Sequence, residues 1–276
     1  MLGMFRALRA LLATALLWSV ISSVLTGCAG LSEKDEMLGW SVEKMYAEAK
    51  EALDTGVWDK AIKYYERMEG RYPYGKYAEQ AQLEVAYAYW KSGEALSALA
   101  ACDRFLKLHP NHASAAYALY LKGLINFNLD DGLFASISGQ DPADRDPKSA
   151  KASFDAFNEL LSRFPDSKYR EDSIKRMTYL VNALARYEVN VAKYYLKREA
   201  YLAAINRAQF AIKTYPDAAA NEDALFIMVK SYDALKMEDL RNDAERVMRN
   251  NFPKSKYFRG SVLADLDNNK RWWTLW

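Results

Sequence analysis

Two histidines, His109 and His112 in His109-Pro110-Asn111-His112, and two cysteines, Cys28 and Cys102, are the chain's whole stock of imidazole and thiol chemistry. Structural zinc takes four protein ligands and catalytic zinc three. A pair of imidazoles on one turn with no neighbouring Cys pair falls short, and packing is the preferred reading of His109. The chain contains no G-x-S-x-G, no phosphate-cradling glycine loop and no H-E-x-x-H. Its carboxylates alternate with Lys and Arg at helical spacings, the pattern of solvated faces, and no pair is singled out for acid–base work. The formal net charge is +2. Nucleic acid as the main partner needs a net basic footprint, so it is excluded. These residues describe a binding platform, with no enzyme activity, metal or cofactor expected.

A repeat must position that platform. A ring followed by proline occurs at Tyr72-Pro73, His109-Pro110, Phe164-Pro165, Tyr215-Pro216 and Phe252-Pro253. Twelve residues before the first four prolines stand Ala61, Ala98, Ser153 and Ala204, and eight before them Tyr65, Cys102, Phe157 and Ala208. Small then larger, four apart, is one helix face where two axes approach closely. Cys102 is thereby read as a buried small hydrophobe. Eight residues after each proline stands Ala81, Ala118, Ser173, Ala224 or Ser261, marking the next helix's close contact. Gly56 and Gly93 fall in the turns between paired helices, where positive φ is often required. Proline ends each second helix by lacking an N–H and pushing its predecessor out of the helical region. In the fifth unit Arg241 takes the small position, so that unit reads as a terminal cap or a degraded repeat. No run alternates like a strand. The fold class is all-α, an α-α superhelix of about five tetratricopeptide-like helical hairpins over roughly 37–260.

The spacing of the prolines is uneven, and two insertions account for it. Residues 129–147 form a long loop rich in Asp, Gly, Ser and Pro, with Asp146 expected as a cap and Pro147 as the first residue of the next helix. Its apolar stretch Leu133-Phe134-Ala135-Ser136-Ile137 either folds back on the solenoid, the preferred reading, or docks a partner. The second insertion lengthens a helix across Asp172 to Leu196, free of Pro and Gly, with Met177, Leu180, Val181, Leu184, Tyr187 and Val191 as its apolar stripe. That helix is expected to project as an interaction surface. Tyr194 and Tyr195 at its end are core or contact residues.

Residues 1–27 carry Arg6 and Arg9, a short apolar stretch and then Leu25-Thr26-Gly27-Cys28. This reads as a secretory signal, since the apolar part is too short and too quickly followed by small residues for a permanent span. Leu25-x-Gly27-Cys28 resembles the bacterial lipobox. The resemblance implies cleavage before Cys28, N-acyl and S-diacylglycerol lipid on that residue, a short linker over 28–36, and delivery to the outer membrane because Ala29 replaces the inner-membrane retention signal. Removing the leader leaves basic and acidic residues equal in number, and leaves Cys102 with no thiol partner.

Several segments narrow the resemblance further. Arg71-Tyr72-Pro73-Tyr74-Gly75, Ala86-Tyr87-Ala88-Tyr89-Trp90, Asp103-Arg104-Phe105-Leu106-Lys107-Leu108, Lys122-Gly123-Leu124, Asp144-Arg145-Asp146-Pro147 and Tyr187 to Tyr195 resemble the BamD/ComL family of lipoproteins of the β-barrel assembly machinery. The resemblance implies a lipid-anchored scaffold on the periplasmic face of the outer membrane. Its N-terminal repeats, 37–128, would meet unfolded barrel substrates and accessory BamC/BamE-like lipoproteins, and its C-terminal repeats, 148–260, would hold a POTRA domain of BamA. By position, Arg207, Asn206 and Arg198 correspond to the POTRA-binding side, Arg207 presenting a planar fork to carboxylates. Tyr72, Tyr195, Arg104 and Lys107 correspond to substrate recognition. The tail, 261–276, departs from the family pattern with Lys270-Arg271-Trp272-Trp273-Thr274-Leu275-Trp276, suited to a membrane interface, a partner groove or packing over the end of the solenoid. The alternative function is a tetratricopeptide lipoprotein that pilots pilus or secretin assembly. Regular 34-residue units would be expected there, and the long insertions argue against it.

Overall fold

In the computed structural model, residues 36–130 and 147–258 are described, with the side chains of 129 and 130 excepted. The leader, Cys28, most of the 129–147 loop and the Trp-rich tail lie outside the described residues. Residues 36–41 form a short turn closed by the Trp40 N–H donating to the Met37 carbonyl at 3.1 Å. The helical unit begins at Val42.

Ten α-helices occur among the described residues, and no strand. They are α1 Val42–Asp54, α2 Trp58–Arg71, α3 Lys76–Ser92, α4 Ala95–Leu108, α5 Ala115–Asp130, α6 Lys148–Arg163, α7 Arg170–Lys197, α8 Tyr201–Thr214, α9 Asn221–Ala234 and α10 Glu238–Asn251, followed by a 3₁₀ turn at Lys256–Phe258. Every helix packs on its successor, and first helices of successive hairpins also touch, as α1 on α3 and α7 on α9. The chain thus forms the all-α solenoid its repeat foretells, each hairpin burying its apolar face only against neighbours.

Local chemistry fixes both kinds of turn. Within four of the hairpins the first helix ends in the same Schellman turn: Val57, Glu94, Ala200 and Met237 donate N–H to the carbonyls of Ala52, Tyr89, Tyr195 and Tyr232 at 2.8–3.0 Å. The residue before each donor is left-handed. Gly56 and Gly93 hold it at φ 76° and 90°, as their sequence position foretells, and Glu199 and Lys236 hold it at φ 60° and 59°. The third hairpin, joined through the inserted loop, is the exception. Between hairpins, the rings Tyr72, His109, Phe164, Tyr215 and Phe252 all sit at φ near −130° and ψ 56–70°, their N–H groups bonded to the carbonyls of Met68, Phe105, Leu160, Ala211 and Met248. The following proline forbids the helical ψ, so the helix stops there each time. Pro147 precedes α6 as its cap residue instead of opening it, one residue from expectation.

The small and bulky positions meet as the spacing requires. Ala61, Ala98, Ser153, Ala204, Tyr65, Cys102, Phe157, Ala208, Ala81, Ala118, Ser173 and Ala224 are all fully buried. Helices α5 and α6 approach closely, and the Ser153 hydroxyl donates to the Gly123 carbonyl at 2.9 Å. A Cβ on Gly123 would lie 2.4 Å from the Phe157 ring. In the fifth hairpin Arg241 reaches Asp233 at 2.9 Å, and Ala244 and Met248 are buried in α10.

Helix α7, 28 residues long, corrects one expectation. It does not project; its first half packs on α6 and its second on α8 and α9. The buried face runs through Leu180, Leu184, Glu188, Ala192 and Leu196, leaving Tyr187 and Val191 only partly covered. The turn-by-turn spacing of four along α7, with Ala192 meeting Ala204 and Ala208 in one cluster, explains the shift.

Candidate functional site

The sequence-derived candidates fall into two groups on different hairpins. Tyr72 closes α2, and Arg104 and Lys107 share the exposed side of α4. Arg104 crosses to Glu69, one turn before Tyr72, at 3.0 Å. Burial lifts the Glu69 carboxyl above its usual range despite that arginine. Tyr72 itself is half-buried, and the ring its turn presents to solvent is Tyr74, 90 % exposed. Lys107 is exposed.

The second group belongs to the α7–α8 hairpin. Tyr195 packs against the Val189, Ala192, Ala204 and Ala208 cluster, so it is a core-facing residue. Its neighbour Tyr194 turns outward, with the Arg198 guanidinium 5.5 Å from its ring centroid. Tyr195 therefore shares its helix end with Arg198, and the four substrate candidates do not form one cluster. Asn206 and Arg207 are exposed side by side on α8. Arg207 Nη1 donates to Glu188 Oε2 of α7 at 2.9 Å, the arginine side chain 45 % exposed and the glutamate 4 %. This pair joins two helices, α7 and α8. A buried carboxylate that keeps its charge needs such a partner.

The remaining reactive types are occupied. Burial pushes the Cys102 thiol up to about 12, which removes the thiolate needed for nucleophilic chemistry. The His112 Nδ1 accepts from the Ser114 N–H at 3.0 Å and its Nε2 faces Glu79 at 3.5 Å, while His109 meets Gln82 at 3.2 Å and packs on Phe105. Among the described residues no group of three or more His, Cys, Asp or Glu is placed to hold a metal ion. Among them, too, no helix is long and apolar enough to cross a membrane.

Sequence reasoning missed an aromatic groove lined by α1, α3 and α5, by Trp58 at the start of α2 and by the turn between α6 and α7. A cavity of about 470 Å³ is lined by Lys50, Trp58, Glu84, Tyr87 and Tyr117, among others. Tyr117 also lines a neighbouring cavity of about 640 Å³ that reaches Phe164, Lys168 and Tyr169. The rings run in sequence: Trp58 to Tyr87 at 6.4 Å, Tyr117 to Tyr169 at 5.8 Å, and Tyr169 stacked on Tyr120 at 4.4 Å. Glu84 is fixed by hydroxyl donation from Tyr46 at 3.1 Å and from Tyr65, and Gln80 donates to it at 3.0 Å. Lys50 stands between Asp54, 2.9 Å, and Glu84, 3.8 Å. The one available signal was the tyrosines of Ala86-Tyr87-Ala88-Tyr89 at a spacing that cannot put both in the core.

Comparison with known proteins places this geometry. A family model described as "Outer membrane lipoprotein", YfiO, matches residues 40–248. The protein named outer membrane protein assembly factor BamD in Neisseria meningitidis serogroup B is 44% identical over 256 residues, covering 91% of this chain and 95% of that one. The protein of that name in Vibrio cholerae is 39% identical over 229 residues, 83% of this chain and 94% of its own. In Xylella fastidiosa the identity is 36% over 237 residues, 86% and 81% respectively. With a family match across all five hairpins and relatives this similar end to end, the chain belongs to the YfiO family of outer membrane lipoproteins, the family of the BamD assembly factors.

Proposed function

We propose that this chain is a non-enzymatic scaffold of the β-barrel assembly machinery, anchored by lipid on Cys28 at the periplasmic face of the outer membrane and needed for inserting barrel proteins. The observation that carries this reading is the end-to-end similarity to proteins named outer membrane protein assembly factor BamD. The exposed face of α8, with Asn206 and Arg207, and Arg198 at the end of α7 hold a POTRA domain of BamA through its carboxylates. Glu188 pre-orients the Arg207 fork for that contact. Tyr72, Arg104, Lys107 and the groove of Trp58, Tyr87 and Tyr117 receive unfolded barrel segments, whose aromatic side chains find π faces there. Tyr195 supports the Arg198 end of the hairpin, and accessory BamC/BamE-like lipoproteins cover other faces of the N-terminal repeats.

Photo-crosslinkers placed at the exposed Asn206 and, separately, at Tyr87 test the division. A BamA-like barrel protein should be captured from position 206 and unfolded barrel precursors from position 87. The same species captured from both positions would sink the two-sided reading. Failure of any BamA-like protein to copurify with the wild-type chain would sink the assignment itself.

A further inference from the structure

The solenoid has two edges, and their charges differ. Neighbouring helices joined by short turns run antiparallel, so the ring-proline turns between hairpins gather on one edge and the turns within hairpins on the other. From the last residue of one helix to the first of the next, the ring-proline turns carry Arg71, Lys76, Arg163, Lys168, Arg170, Lys254 and Lys256 against only Asp166 and Asp217. The described turns within hairpins, at 54–58, 92–95, 197–201 and 234–238, carry Lys197, Arg198 and Lys236 against Asp54, Glu94, Glu199 and Glu238. In a chain whose formal net charge is only +2, the positive surplus is thus gathered on one edge. Helix dipoles do not account for the difference, because each edge holds helix starts and helix ends alike.

Two further observations bear on what this edge faces. Among its cations it exposes aromatic and apolar surface: Tyr74 is 90% exposed and Leu108 57%. Lys76, Lys168, Arg170 and Lys254 are exposed as well. A phenol ring among cations suits the headgroup level of a bilayer, where lipid phosphates meet the positive charges. The chain also enters the helical unit on this edge, since α1 runs antiparallel to α2 and Val42 lies on the side where Arg71 ends α2. From Cys28 to Val42 the chain reaches at most about 50 Å, and the opposite edge stands about 20 Å farther along α1. On the reading that Cys28 carries lipid, the tether brings the cationic edge to the bilayer first.

We propose that the ring-proline edge of the solenoid lies on an anionic phospholipid surface, with Tyr74 at headgroup level and Lys76, Lys168, Arg170 and Lys254 against lipid phosphates.

The lipidated chain, floated with vesicles of phosphatidylcholine and phosphatidylglycerol, tests this. A fluorophore is attached at Tyr74→Cys and, separately, at Leu96→Cys on the opposite edge, and is read against lipids that carry a quencher in the headgroup. Leu96 is 80% exposed, so both labels spare the core, and buried Cys102 does not take the label. Circular dichroism checks the fold. Expected is quenching several-fold stronger at position 74 than at position 96. It should fall several-fold in Lys76→Glu/Arg170→Glu/Lys254→Glu, on vesicles of phosphatidylcholine alone, and at high salt. A chain that floats yet is quenched equally at both positions, or whose quenching at 74 ignores the charge reversal, would overturn the proposal and leave the lipid anchor standing. A chain that does not float would remove the anchor and this contact together. Shielding of position 74 that appears only on adding solubilised envelope proteins would mean that an acidic protein covers the edge, and overturns the proposal too.

Discussion

Gly123→Ala sets helix propensity against packing, and the geometry decides the sign. In a free helix the change stabilises by about 1 kcal/mol. Here the new Cβ would stand 2.4 Å from Phe157 Cε1 and 2.7 Å from two further ring carbons, where carbon atoms rest comfortably at about 3.5–4.0 Å. Phe157 is fully buried beside Tyr120. Moving α5 off α6 instead stretches the buried bond from Ser153 to the Gly123 carbonyl, worth about 1 kcal/mol. Overpacking adds about 1–3 kcal/mol, so the net expectation is destabilisation by about 2 kcal/mol and a fall in Tm of about 5 °C. Thermal and urea melts followed by circular dichroism measure it. Phe157→Leu alone opens a cavity and destabilises as well. Combined with Gly123→Ala it removes the clash, so the double variant should lie above the additive expectation by about 1 kcal/mol or more. A Gly123→Ala protein that melts at or above wild type, or strict additivity in the double variant, would refute the close-approach argument.

Three further outcomes follow from particular contacts. Glu199→Gly and Lys236→Gly relieve left-handed backbone at φ 60° and 59° in exposed turns and should each stabilise by about 0.5–1 kcal/mol in urea melts; a loss of stability at both sites would contradict the strain assigned to them. Arg207→Ala strips the partner from buried Glu188 and should destabilise by about 2 kcal/mol, a figure lowered from that of a fully buried pair because the arginine is half exposed. Adding Glu188→Gln should restore part of it, and equal stability of single and double variants would show that the pair is not coupled. Burial opposes the charge on Asp223, yet hydrogen bonds from Lys193 at 2.8 Å and Tyr257 at 2.6 Å, with Lys256 nearby, hold its carboxyl below the usual range. A depressed carboxylate contributes stability above its unfolded value of about 3.9 and loses it as pH falls toward the folded value. The deficit of Asp223→Asn, about 1–2 kcal/mol, should therefore be constant near neutral pH and shrink below about pH 4; a deficit that grows on acidification would reverse the assigned shift.

The hairpins were legible because each rests on one-dimensional signals. A ring before proline ends a helix wherever it occurs, and small residues at fixed offsets mark close approaches, so Ala61, Ser153 and Ala224 could be placed from spacing alone. Gly56 and Gly93 announced their turns, whereas Glu199 and Lys236 adopt the same backbone without the residue type that would advertise it. Pairings across helices were harder. Glu188 sits in a stripe of apolar positions that periodicity would fill with a hydrophobe, and only the fold shows Arg207 reaching it from the next helix. The aromatic groove escaped for a related reason: Trp58, Tyr87, Tyr117 and Tyr169 lie far apart in sequence, and each alone reads as core.

Both groups of candidate cations share one construction. Arg104 on α4 meets Glu69 across the hairpin boundary, and Arg207 on α8 meets Glu188 within its hairpin; in each the carboxylate is the less exposed partner, Glu188 buried and Glu69 partly so, and the guanidinium reaches solvent. The less exposed acid holds the arginine in one orientation, which on the proposed function lowers the entropy lost when a partner docks on that arginine. A guanidinium can serve both at once because its fork has donors to spare after one bond to an internal oxygen. A lysine at either site would satisfy the buried acid and have no planar second edge to offer. The glutamate thus explains why an exposed arginine is tied to a single geometry on each half of the solenoid.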